Sequence, residues 1–361
     1  MAASTYFSAD YGEARAKFLA AAKAAGGRLT HHQNPASGPN GEALFTDIAR
    51  FGPERAERIL LIKSATHGAE GFLGSGIEVG LVESGVMRDL PAGIACLVLH
   101  ALNPYGFAWI RRTNENNIDL NRNFVDHTKP HPQNRAYDEL KDFICPPSWA
   151  AAQRQKADER LLAYSTQHGD AALQAAITAG QYNHAEGVFY GGIAPSWSNQ
   201  LLTRLSQDIA REARHVGVID LHSGLGPYGY GEIMNGHMPG RPAFARIEDW
   251  LGGEATSYAT GDSSSSVLTG DTLAGIERAM PGTEISGITL EYGTLPLKDM
   301  IDSVRADNWL HVHGKLDSAQ GREIKQQIRA AFYPDKDDWK TMVWERGEDT
   351  TRRMLKGMAE S

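Results

Sequence analysis

The chain has 361 residues, 41% of them hydrophobic and 22% charged, proportions that exclude a disordered, collagen-like or coiled-coil protein and leave room for a sizeable core. Its 36 Lys and Arg against 44 Asp and Glu give a net charge of -8, and with no block of basic residues this argues against nucleic acid or anionic membrane as partners. Two cysteines, Cys96 and Cys145, are too few for a disulfide scaffold.

In chain order, residues 11–25 carry Phe18, Leu19 and Ala22 at helical spacing before the pair Gly26-Gly27, which predicts an opening amphipathic helix. Short β-type runs follow at 44–50 and 58–62. The second is almost wholly apolar, as a strand covered on both faces should be. A helix at 75–84 and an apolar strand at 94–100 complete a strand–helix–strand unit, which connects right-handedly. Residues 146–180, dense in Ala, Gln and Arg, read as helix; 216–221 and 285–290 read as strands; 315–332 reads as helix. Long loops are expected at 103–132 and 252–270.

This alternation predicts a three-layer α/β/α sandwich around a mixed, mostly parallel sheet, as one catalytic domain over 1–361 with a helix-strand extension at about 1–55. The N-terminus lacks a basic stretch followed by an apolar one, and nowhere do roughly 18 apolar residues run together. A cytoplasmic location is the expectation.

Four elements carry chemistry. His67-Gly68-Ala69-Glu70 follows the strand at 58–62, and an imidazole and a carboxylate three residues apart can meet on one cation if the backbone turns at the glycine. A capped helix start is the plainer reading. His222, in Asp220-Leu221-His222-Ser223-Gly224, also follows an apolar strand, and ligands of α/β sheets collect at the carboxyl ends of strands. Two nitrogens and one carboxylate form the open three-ligand set of a catalytic zinc.

Glu291 ends a third apolar strand, where an unpaired charge is costly unless something uses it; it suits a general base, or a salt bridge to an arginine. Last, three arginines and five asparagines lie between Trp109 and Phe124. Guanidinium groups fork onto carboxylates and stabilise oxyanions, so this stretch reads as an anion clamp, unless it is only a solvated loop.

Together these elements resemble, in chain order, the zinc carboxypeptidase family and its aspartoacylase-like deacylase relatives, over roughly residues 55 to 320. The string Asp119-Leu120-Asn121-Arg122-Asn123-Phe124 is the most specific part. The resemblance implies one zinc ion bound by His67, Glu70 and His222, with Asp119 orienting His67. It implies Arg111 polarising the scissile carbonyl, Asn121 and Arg122 holding a substrate carboxylate, and Glu291 as base.

One feature departs from the digestive carboxypeptidases: 270–290 contains no tyrosine, the nearest before it being Tyr258. That moves weight toward acyl-amino-acid substrates. The expected activity is hydrolysis of an amide next to a free carboxylate, in a small peptide or an N-acyl amino acid. A binding protein that kept the fold and lost turnover is the rival of another class. A serine hydrolase fails for want of a Gly-x-Ser-x-Gly elbow.

Overall fold

The computed structural model describes residues 2–257, 259–265 and 268–361. Helix α1 (Tyr11–Ala24) starts where the Asp10 side chain accepts the Glu13 amide, and it buries Ala14, Phe18, Ala21 and Ala22. Strands β1 (Arg28–Ser37), β2 (Ala43–Phe51) and β3 (Arg58–Lys63) follow, then α2 (Gly71–Glu83) and β4 (Ile94–His100), whose residues are all buried. The expected 103–132 loop holds two short helices, α3 (Pro104–Ala108) and α4 (Leu120–Asn123). Next come α5 (Arg135–Ile144), α6 (Ala151–His168) and α7 (Asp170–Thr178). The single helix expected over 146–180 is broken at Gly169, whose φ of 93° lies outside helical space.

The remainder comprises α8 (Trp197–Ala210), β5 (His215–Tyr228), β6 (Gly231–Asn235), α9 (Pro242–Trp250), α10 (Thr272–Ala279), β7 (Glu284–Gly293), α11 (Leu297–His313), α12 (Ala319–Phe332) and α13 (Asp337–Glu360). No helix among the described residues is long and apolar enough to cross a membrane.

The seven strands form one sheet in the order β1-β2-β4-β3-β5-β7-β6. β3 pairs in parallel with β4 and β5, and β5 with β7, whereas β2 and β6 run against their neighbours. Five strands therefore share one direction, a mixed and mostly parallel sheet. α1, β1 and β2 join it through β4.

Alternation along the strands divides the core. Leu60, Ile62, Ile219 and Leu221 face the layer that contains α1, α2 and α13. Ile59, Leu61, Val216 and Val218 face α8 and α10. A third apolar cluster, drawn from α5, α6, α7, α11 and α12, covers the carboxyl ends of the parallel strands. On the α8/α10 face, in register, Lys63 of β3, Asp220 of β5 and Thr289 of β7 form one row across the sheet. His222 of β5, Glu291 of β7 and Glu232 of β6 form the next.

Candidate metal centre

His67 and Glu70 come together because the chain leaving β3 turns through Gly68-Ala69-Glu70. That turn is laced to a neighbouring segment: the Gly68 amide donates to the Arg112 carbonyl at 3.2 Å and the Ala69 amide to the Arg111 carbonyl at 2.7 Å. Position 68 admits only glycine, since a Cβ there would lie 1.9 Å from the Gly106 carbonyl carbon.

Glu70 sits between the two imidazoles, Oε1 2.8 Å from His67 Nδ1 and Oε2 2.8 Å from His222 Nδ1. Ligand atoms from all three side chains lie within 4.8 Å of one another. The far nitrogens face carboxylates: His67 Nε2 is 3.1 Å from Asp119 Oδ1, and His222 Nε2 is 2.9 Å from Asp220 Oδ2. Arg112 Nη2 also lies 2.8 Å from His67 Nε2, and carboxylates behind the far nitrogens are a common way of orienting metal-binding imidazoles. The donor set fits a divalent cation such as zinc: two nitrogens, one carboxylate, and room for a fourth partner.

Charges explain the rest. Burial works against ionisation of Glu70, but His67 and His222 bring it down to about 2. For His222 burial is outweighed by Asp220 and Glu70, which push it up to about 10. Beneath it, fully buried Lys63 pairs with Asp220 and donates to Thr66 Oγ1 at 3.0 Å and Thr272 Oγ1 at 2.8 Å, so all three of its ammonium protons have partners. Glu291 accepts the Leu225 amide at 2.9 Å, and burial followed by the nearby Glu70 raises it to about 8.

The two neighbouring arginines part company. Arg111 does not reach this cavity: its guanidinium turns to Asp307, 3.4 Å away, and donates to Asn117 Oδ1 at 3.0 Å. Arg112 lines the cavity instead. It donates from Nε to Asp119 Oδ2 at 2.9 Å, and its Nη1 lies 3.6 Å from Glu70. Adjacent residues of a non-helical segment point apart, and with both carbonyls tied to the His67–Glu70 turn only one of the two guanidiniums reaches the metal side.

Asn121 and Arg122 also line the cavity, which has a volume of about 110 Å³. Arg122 Nε and Nη2 donate to the Thr178 carbonyl and Nη1 to the Asn121 carbonyl, which among the described residues leaves one N–H on each terminal nitrogen, a fork that suits a carboxylate. Asn121 Oδ1 accepts the Thr272 amide at 3.2 Å, and its amide nitrogen remains to donate. Phe189, buried at a φ of 54°, places its ring 5.0 Å from the Arg112 guanidinium and 5.6 Å from that of Arg122. Tyr258, the tyrosine nearest to Glu291 in sequence on its N-terminal side, lies outside the described residues.

Sequence reasoning passed over Arg112, Lys63, Asp220 as a partner of His222, and Phe189. The Asp-x-His spacing of 220 and 222 was a usable signal, because residues two apart on a strand share a face. Phe189 left none.

Residues 7–346 match the model of a family described as a protein of unknown function (DUF2817), and the chain belongs to that family. No curated protein matches it. Similar solved structures include carboxypeptidase A from Helicoverpa armigera, at 13% identity over 89% of this chain and 73% of that one, with a TM-score of 0.43. Murein-tripeptide amidase MpaA from Escherichia coli O157 is similar at 16% over 80% and 90%, with a TM-score of 0.37. An aspartoacylase family protein from Mesorhizobium loti is similar at 16% over 81% and 68%, with a TM-score of 0.38. Likeness at this level assigns neither a substrate nor a residue's role.

Proposed function

We propose that this protein is a metal-dependent hydrolase of an amide bond adjacent to a free carboxylate, carboxypeptidase-like in its reaction. The observation that carries the reading is the convergence of His67, Glu70 and His222 beside the carboxyl of Glu291, within one cavity that also holds Arg112 and Arg122. A divalent ion such as zinc at the three ligands supplies Lewis acidity toward water and the carbonyl oxygen.

The side chains do the remaining work. Arg122 and Asn121 hold the substrate carboxylate and so fix the distance to the scissile amide. Arg112, the arginine beside the ligands, donates to the carbonyl oxygen as negative charge develops there. Glu291, oriented by the Leu225 amide, takes a proton from the attacking water and returns it to the leaving nitrogen. Asp119 and Asp220 keep the two imidazoles in their ligating orientation.

Deacylation of an N-acyl amino acid uses the same groups and is the second reading. A non-catalytic binding protein is the third; it would take up the same ligands without turnover. Metal analysis of the purified protein, combined with hydrolysis assays on dipeptides, N-acyl amino acids and their C-terminal amides, tests all three. Stoichiometric metal with turnover of free acids but not amides is the expected result; absence of both metal and turnover sinks the proposal.

A further inference from the structure

We infer that the cavity receives an uncharged aliphatic acyl group on its α11 side, so that the substrate is an N-acyl amino acid rather than a short peptide with a free amino end. The inference rests on the hydrolase reading above and narrows it. With the carboxylate at Arg122 and Asn121, and the carbonyl between Arg112 and Glu291, the amino-acid half of the substrate lies toward Thr272, which bonds Asn121. The acyl half runs the other way, past Leu225, whose amide carries Glu291.

That direction is apolar. Leu225, Leu297, Met300, Ile301 and Val304 line the cavity there, and Phe189 closes it on the side of the arginines. Met300, Val304 and Phe189 belong to one buried apolar cluster, with Leu225, Leu297 and Ile301 packed against it and partly open to solvent. Beyond Glu291, which accepts the Leu225 amide, none of these lining residues is acidic. The ammonium of a dipeptide lying past Glu291 would be desolvated against hydrocarbon, which is costly. An acyl chain there gains with each methylene it buries.

The test is calorimetric binding to the metal-loaded Glu291→Gln protein, which need not turn over. Acetyl, butanoyl and hexanoyl derivatives of alanine, phenylalanine, glutamate and lysine are compared with dipeptides of matched length. Affinity is expected to rise at least about tenfold from acetyl to hexanoyl on the best amino acid, consistent with burial of several methylenes, and the dipeptide to bind more weakly than its acyl counterpart. Leu297→Glu and Ile301→Asn, at partly exposed positions, should flatten the chain-length dependence. Equal affinity along the series, tighter binding of the dipeptide, or no binding at any length overturns the inference. Chain-length-dependent binding without hydrolysis by the wild type defeats the hydrolase reading and leaves the acyl site standing; hydrolysis without chain-length dependence does the reverse.

Discussion

Asp119 Oδ1 lies 3.1 Å from His67 Nε2 while the other oxygen of the same carboxylate accepts Arg112 Nε at 2.9 Å. One buried side chain therefore fixes both a candidate metal ligand and the arginine beside it. Burial opposes its charge, yet Arg112 and His67 hold it well below the ordinary aspartate value. Asp119→Asn should weaken metal binding by roughly 10- to 100-fold, as for other partners behind metal-bound imidazoles, and lower kcat as well. A chelator competition that gives the wild-type affinity would remove this role.

His67→Ala is expected to leave the protein folded and substoichiometric in metal after dialysis, because Glu70 and His222 alone make a poor site. Elemental analysis against wild type decides it. Full occupancy in the variant means the ion sits elsewhere.

Neighbouring arginines separate two kinds of loss. Arg112→Ala should lower kcat by roughly 10²–10³, as removal of an oxyanion donor does, whereas Arg122→Ala should mainly raise KM. Arg111→Ala should lower the melting temperature, since Asp307 loses one of its cations, and leave kcat and KM near wild type. Comparable kinetic damage from Arg111→Ala and Arg112→Ala would contradict the separation.

Glu291 supplies a pH signature. Its carboxyl is raised from 4.5 to about 8, so between those values the folded protein keeps a proton that the unfolded chain has released. Stability of the metal-stripped protein must then fall as pH rises through that window. His222, raised from 6.5 to about 10, acts in the same direction in wild type and variant alike. The melting temperature of stripped wild type should therefore drop more steeply between about pH 5 and pH 8.5 than that of Glu291→Gln. Parallel curves would refute the assignment. With metal bound, Glu291→Gln should keep the ion and lose at least about a hundredfold in turnover.

Lys63→Met tests the buried row beneath the ligands. Taking the ammonium away leaves Asp220 to His222, Thr66 and Thr272, and the loss should be at most roughly 3–5 kcal/mol, the range for removing one partner of a buried ion pair. Denaturant unfolding of the metal-free protein measures it, and a change within error would mean that His222, Thr66 and Thr272 satisfy Asp220 without the ammonium.

Much of this was legible in the sequence because it rests on periodicity. The apolar runs at β3, β4, β5 and β7 are interior strands, and His67 and Glu291 fall at or near carboxyl ends, whereas β5 runs on past His222 to Tyr228. Hidden parts had no pattern to read. β1 is an edge strand with mostly exposed residues, so it lacks the apolar alternation that marks a strand. β6 spans only Gly231–Asn235. The choice between Arg111 and Arg112 depends on which way two consecutive side chains leave a backbone held from across the molecule, and spacing along the chain carries no such information. Lys63 ends an apolar strand in the manner of a surface lysine; its burial is set by Asp220, 157 positions later in the chain (220 − 63).

The contact between Gly68 and Gly106 makes the metal turn a graft of one loop on another. Because Gly68 and Ala69 bond to the carbonyls of Arg112 and Arg111, the ligand pair and the arginine form one mechanical piece, with no side chain acting as a spacer between them. Even a single methyl group at 68 would shift His67, Glu70 and Arg112 together. Such a variant would damage metal affinity and catalysis in step, although it touches neither a ligand nor the substrate.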